Sequence, residues 1–191
     1  KAWPAGHDSV VALVAHNDKL IVFGEHSILV YGNAFSPALM LLEDTVVGVG
    51  CICKNSVQII GTDVLFMDKS GLRSFGRVIQ EKSLPLADLS KNIKTDLISV
   101  LGQINGCTAS AFSPEESFYL ITFPEISLTY CFDLKGTLEN GAFRVTRWFG
   151  APFGAWCRMR DGKLITGTKD GVGEYAGYTD EIYDPDVGEV V

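Results

Sequence analysis

The residues able to do chemistry are few and poorly grouped. The three histidines, His7, His16 and His26, all fall within the first 26 residues. Glu25-His26-Ser27 holds the residue types of a hydrolytic triad, but neighbours within one turn cannot point at one another in the relay that a triad requires. Asp63, Asp68, Glu125 and Asp170 stand at turns, where carboxylates are expected for solvation and turn chemistry. Paired acids of this kind serve glycoside hydrolysis only where two of them face across a pocket, and nothing in their spacing singles out a pair. Lys169-Asp170-Gly171-Val172-Gly173 lacks the strand-to-helix setting of a phosphate loop.

The cysteines are Cys51, Cys53, Cys107, Cys131 and Cys157, an odd number. On a strand, Cys51 and Cys53 would share one face of the apolar stretch Val46 to Ile52 and pack as small core residues. No second pair or histidine stands at zinc-like spacing, so the expectation is no metal and no cofactor. The basic residues are scattered except for Arg144, Arg147, Arg158 and Arg160, which alternate with apolar and aromatic neighbours, and the first three stand with Trp148, Phe149, Phe153 and Trp156. Trp, Tyr and Arg are enriched at the centres of protein interfaces, so these seven residues form the candidate interface.

The elements that would position these groups are mostly strands. Short β-type runs alternate with turn signals in four sets. The first comprises Val10 to Ala15, Lys19 to Gly24 and Ile28 to Tyr31; the second, Val46 to Ile52, Ser56 to Gly61, Asp63 to Met67 and Leu72 to Val78. The third comprises Ser117 to Phe123, Ser127 to Leu134 and Phe143 to Phe149; the fourth, Ala155 to Met159, Lys163 to Gly167 and Gly171 to Tyr175. Apolar doublets ending at Ile21, Ile60, Ile121 and Ile165 recur at steps of 39, 61 and 44 residues. Two of these steps match the ~40 to 50 residues of a propeller blade. The longer one is filled by an insertion over 84 to 103, where Ile93, Leu97, Val100 and Leu101 share a helical face, with Ser90 as N-cap and Gly102 as stop. The predicted fold is all-β, built of about four β-propeller-like four-stranded antiparallel blades with one inserted helix near residues 90 to 101. A β-sandwich is the alternative.

The chain has 191 residues, 47% of them hydrophobic and 20% charged, which suits a packed core and excludes disorder and coiled coil. A formal charge of −7 argues against wrapping nucleic acid or binding an acidic membrane. No apolar run approaches the ~20 residues that span a bilayer. Four blades use up the whole length, while closed rings take ~4 to 8 of them, so the start at Lys1 is read as excision from a longer chain.

The order of motifs carries a resemblance. Asp18 to Gly32 reads DKLIVFGEHSILVYG, Ser56 to Phe75 ends in the turn and outer run D-x-x-G-L-R-S-F, D-L-S opens the insertion at Asp88, and Trp156 to Gly167 reads WCRMRDGKLITG. Over most of residues 10 to 175 the chain resembles the β-propeller of tail nozzle or tail stabilisation proteins of short-tailed bacteriophages. The resemblance implies a virion structural protein, not an enzyme, located in the tail and soluble in the host cytoplasm before assembly. It implies a homo-oligomeric ring, commonly a hexamer, that touches adjoining tail proteins and continues the channel through which DNA passes without specific binding. The alternatives are a propeller glycoside hydrolase or lyase, and a cellular propeller that serves as a protein-binding scaffold.

Overall fold

The computed structural model describes residues 3–4, 6–81, 88–104, 109–149, 153–169, 171–176, 183–184 and 189–190. Four antiparallel meanders follow one another along the chain. The first holds β1 (Val10–His16), β2 (Lys19–Gly24), β3 (Ser27–Gly32) and β4 (Leu41–Val47); the second holds β5 (Gln58–Ile60), β6 (Asp63–Asp68) and β7 (Gly71–Ser74). After α1 (Phe75–Glu81) and α2 (Lys94–Leu101) comes the third, with β8 (Ala109–Ser113), β9 (Phe118–Phe123), β10 (Leu128–Thr137) and β11 (Phe143–Phe149). The fourth holds β12 (Ala155–Arg158), β13 (Leu164–Gly167) and β14 (Val172–Glu174), and a short ribbon pairs β15 (Tyr183–Asp184) with β16 (Glu189–Val190).

Period-2 alternation decides how these sheets pack, because successive side chains of a strand leave opposite faces. Ile21 and Phe23 of β2 share a core with Val64 and Phe66 of β6, and the Phe23 and Phe66 rings lie 4.9 Å apart. The intervening residues of β6, Leu65 and Met67, face the other way and pack with Tyr119, Ile121, Tyr130 and Phe132 of the third sheet. On the far face of that sheet, Leu120 and Cys131 meet Leu164, Trp156 and Tyr175. The sheets therefore stack face to face in chain order, and the two middle sheets bury both faces. The first strands lie side by side, β5 against β8 and β8 against β12.

All-β architecture holds, in four layers rather than the two of a sandwich. Among the described residues the sheets close neither a barrel nor a propeller ring.

Several boundaries differ from the sequence reading. The expected strand Val46 to Ile52 is split: β4 ends at Val47, where Gly48 turns at φ +87°. The following segment crosses beneath the β2–β3 turn so closely that a Cβ on Gly50 would lie 2.3 Å from the Glu25 backbone. Cys51 and Cys53 are buried, but in this crossing and not on a strand. The run Leu72 to Val78 changes from strand to helix at Phe75. The Ser74 hydroxyl accepts the Arg77 amide and the Asp63 carboxylate accepts the Gly76 amide, so local capping overrides the β-prone composition.

β8 was not foreseen, and its loss shifted the alignment of the sets: the Ile59-Ile60 doublet lies on a first strand, whereas the other three doublets lie on second strands. Second strands begin at Lys19, Asp63, Phe118 and Leu164, a more even spacing than the doublets give. The helical insertion is shorter than 84 to 103, with a 3-10 turn at Lys91–Ile93 leading into α2. Leu97 and Val100 are buried on the expected face, with Ile93 and Leu101 packed beside them. Ser90 does precede the turn, but its side chain makes no cap bond and is engaged elsewhere.

Candidate functional site

The candidate interface residues fall into three places. In β11, Arg147 and Phe149 project on the side of α2, opposite Tyr130 and Leu128, while Arg144 and Trp148 project toward the fourth sheet. Arg147 lies 3.1 Å from Asp96 of α2 and 5.5 Å over the Phe149 ring. Asp96 also accepts the Tyr130 hydroxyl at 2.7 Å. Burial, reinforced by that carboxylate, pushes the Tyr130 phenol far up. Trp148 stacks on Tyr175 at 5.7 Å, closing the junction between the third and fourth sheets. Phe153 tilts against Trp156 at 4.8 Å, and the Trp156 indole donates to Thr122. Arg158 pairs with Glu115 across the same junction, and its hydrogen bond holds the Glu115 carboxyl below its usual value. The set thus joins neighbouring layers at least as much as it faces outward; Phe149, 68% exposed, is the most open of its aromatic residues.

The turn acids hold structure. Asp63 accepts the Ser74 hydroxyl and the amides of Val64 and Gly76, fixing the start of α1. Asp68 accepts Ser70 and lies 3.7 Å from Arg73. Glu125 is exposed in a 3-10 turn, and Asp170 lies outside the described residues. His16 meets the Thr62 carbonyl at the tips of two hairpins, and His26 lies near Lys69 and Asp8. Asp8, Glu25 and His26 lie close enough to share an ion, but the Asp8 carboxylate is already occupied by the Ser27 hydroxyl and three backbone amides. Burial alone would raise its pKa; these donors outweigh that and hold it at about 2. The Cys51 and Cys131 thiols are unsuited to nucleophilic work, since burial pushes Cys51 up to about 11 and Cys131 up to about 12.

Two motifs separated in sequence prove to be one contact. Leu72 donates its amide to the Ser90 hydroxyl at 3.0 Å, and its carbonyl accepts the Leu89 amide at 2.9 Å. Arg73 bridges to Asp88 along the backbone, and Asp88 accepts both the hydroxyl and the amide of Ser90. A Cβ on Gly71 would strike Ser90 at 2.2 Å. The G-L-R-S turn and the D-L-S opening therefore form a buried clip that fastens the helical insertion to the outer edge of the second sheet. The Arg73 side chain is within ion-pair range of Asp68, and Lys94 lies 3.6 Å from Asp88.

The first strands enclose a polar groove of about 380 Å³ between Lys54, Gln58, Ser110, Ala155 and Trp156. Gln58 spans from the second sheet to the third, donating to the carbonyl and hydroxyl of Ser110, and that hydroxyl bonds the Asn55 carbonyl. A second cavity of about 310 Å³ lies between the β1–β2 turn and α1, near His16, Asp44 and Phe75. Sequence reasoning missed the groove because the strand that supplies Ser110 was missed. No described helix is long and apolar enough to cross a membrane. No protein-family model and no curated protein matches the chain.

Proposed function

We propose that the chain is a structural assembly module, an arc of β-propeller that works in the tail of a short-tailed phage as part of a nozzle or stabilisation ring. The observation that carries this reading is the packing plan. Meanders stack face to face in chain order, and the first strands of the second, third and fourth lie together, as those of blades do around an axis. The use of polar side chains agrees with it: Asp63, Asp68, Asp88 and Ser90 secure turns and the clip.

In this reading the partners are sister subunits and adjoining tail proteins, and an acidic surface lets DNA pass without sticking. Purified protein mixed with tails that lack their distal ring is the test. Electron microscopy is expected to show added density at the tail tip with rotational symmetry, and tails that remain bare at saturating protein would refute the proposal.

A further inference from the structure

Between the β1–β2 turn and α1 the first and second layers part and leave a cavity of about 310 Å³. Elsewhere the two layers are joined by the core around Ile21, Phe23, Val64 and Phe66, and the Phe75 ring meets Phe23 edge-on at 6.3 Å. Gly76, in the first turn of α1, adds no side chain to the lining. The apolar part of the lining is Val30, Phe75 and Ile79; Val30 is buried, whereas Phe75 and Ile79 are only half-buried. The ionisable part is His16, Lys19, Asp44 and Asp63. His16 Nε2 lies 2.9 Å from the Thr62 carbonyl, and the Lys19 ammonium pairs with Glu43. Asp44 accepts the Thr45 amide. Asp63 is held by neutral donors, the Ser74 hydroxyl and the amides of Val64 and Gly76. Glu43 thus offsets the Lys19 charge, and the carboxylates of Asp44 and Asp63 leave the lining acidic.

We propose that this cavity binds a small organic cation, an ammonium group carried on an apolar ring or branched body of about ten non-hydrogen atoms. The volume lies at the small end of the range for small-molecule sites, which limits the ligand to that size. Its apolar body would take Phe75 and Ile79 the rest of the way out of water. Its ammonium would meet carboxylates inside a concave site, where apolar walls strengthen the attraction, and the Phe75 ring offers a face that also favours a cation. Asp44 and Asp63 can keep their structural hydrogen bonds while doing so, because one carboxylate accepts about four. An anion would face two carboxylates, and a neutral molecule would gain the apolar contacts alone. The inference stands apart from the assembly reading, which neither requires nor excludes a ligand here.

The test titrates 2-phenylethylamine, a cation at neutral pH, into the isotope-labelled full chain, with 2-phenylethanol and phenylacetate as its neutral and anionic counterparts. Saturable shifts are expected at the Val30 and Ile79 methyl groups, at the roughly millimolar concentrations that suit so small a probe. The amine should bind about threefold more tightly than the alcohol, and the acid more weakly than either. Gln80 lines the cavity from an exposed position of α1, where Glu and Lys are both good helix formers. Gln80→Glu is expected to tighten the amine about twofold to threefold and Gln80→Lys to weaken it by a like factor, with the alcohol unmoved by both. Ile79→Phe narrows the cavity and should weaken amine and alcohol together. Equal affinity for amine and alcohol overturns the proposal, as do shifts that never saturate. So do Gln80 variants that fail to move the amine in opposite directions, or an Ile79→Phe chain that binds both probes as before. Should Ile79→Phe not fold, the Gln80 pair decides.

Discussion

The middle and the ends of the stack are made differently from the same kind of strand. In the second and third sheets both faces are buried, so strands such as Val64–Met67 and Tyr119–Phe123 are apolar or hydroxyl-bearing at every position. In the first and fourth sheets one face meets a neighbouring sheet; on the other face of the first sheet Trp3 packs on Val22 and Leu29, and side chains as large as Leu13 and Val172 stay open. Burial on two faces fixes the order of the layers.

The sharpest way to break this contrast is to cut the same aromatic group from each region. Phe66→Ala, in the fully buried middle, should cost about 3 to 5 kcal/mol in chemical denaturation. Phe149→Ala, on the open edge, should stay within about 0.5 kcal/mol. Equal losses at the two positions would show that the middle is not closed on both sides.

The clip comes next. Asp88→Ala removes the acceptor that orients Ser90 and should cost about 1 to 3 kcal/mol, with faster hydrogen exchange at the Leu72 and Leu89 amides. A loss of stability without that local exchange would place the effect elsewhere than the clip.

Much of this was legible in the sequence, and the gaps have physical causes. The hairpins from Lys19 to Gly32 and from Leu164 to Glu174 were evident because Gly, Asn and Asp punctuate β-branched runs. The helical face from Ile93 to Leu101 was evident from its spacing. β8 escaped because ASAFS is small and weakly patterned, and becomes a strand only through its pairing with β9. α1 escaped because its start is set by Asp63, thirteen residues before the Gly76 amide that it accepts. The seven Arg and aromatic positions were found as residue types, but their division among two faces of β11 and the third–fourth junction follows from register, which composition does not encode. The clip joined two motifs already noticed separately. The segment that carries Trp3 and Asp8 carried no periodic signal at all.

The bonds that tie Asp8 to the β2–β3 turn should show themselves in acid. Because the Asp8 carboxyl falls from 3.8 to about 2 on folding, its stabilisation is complete above the unfolded value and is lost as pH drops through about 2. Asp8→Asn should therefore lower stability at neutral pH by about 1 to 2 kcal/mol and flatten the decline between pH 4 and 2 that the parent chain shows. A parallel decline in both proteins would contradict the clamp. The smallest effect is expected at the surface pair Arg147–Asp96, where Arg147→Ala should change stability by less than about 0.5 kcal/mol.

The central claim, that successive sheets stack face to face in chain order, is tested most directly by side-chain nuclear Overhauser contacts in the isotope-labelled protein. Cross-peaks are expected between the Phe23 and Phe66 rings, from Leu65 and Met67 to the aromatic side chains of the third sheet, and between Trp148 and Tyr175. Absence of these peaks, or contacts that join the first sheet directly to the third, would contradict the stack and the assembly role drawn from it.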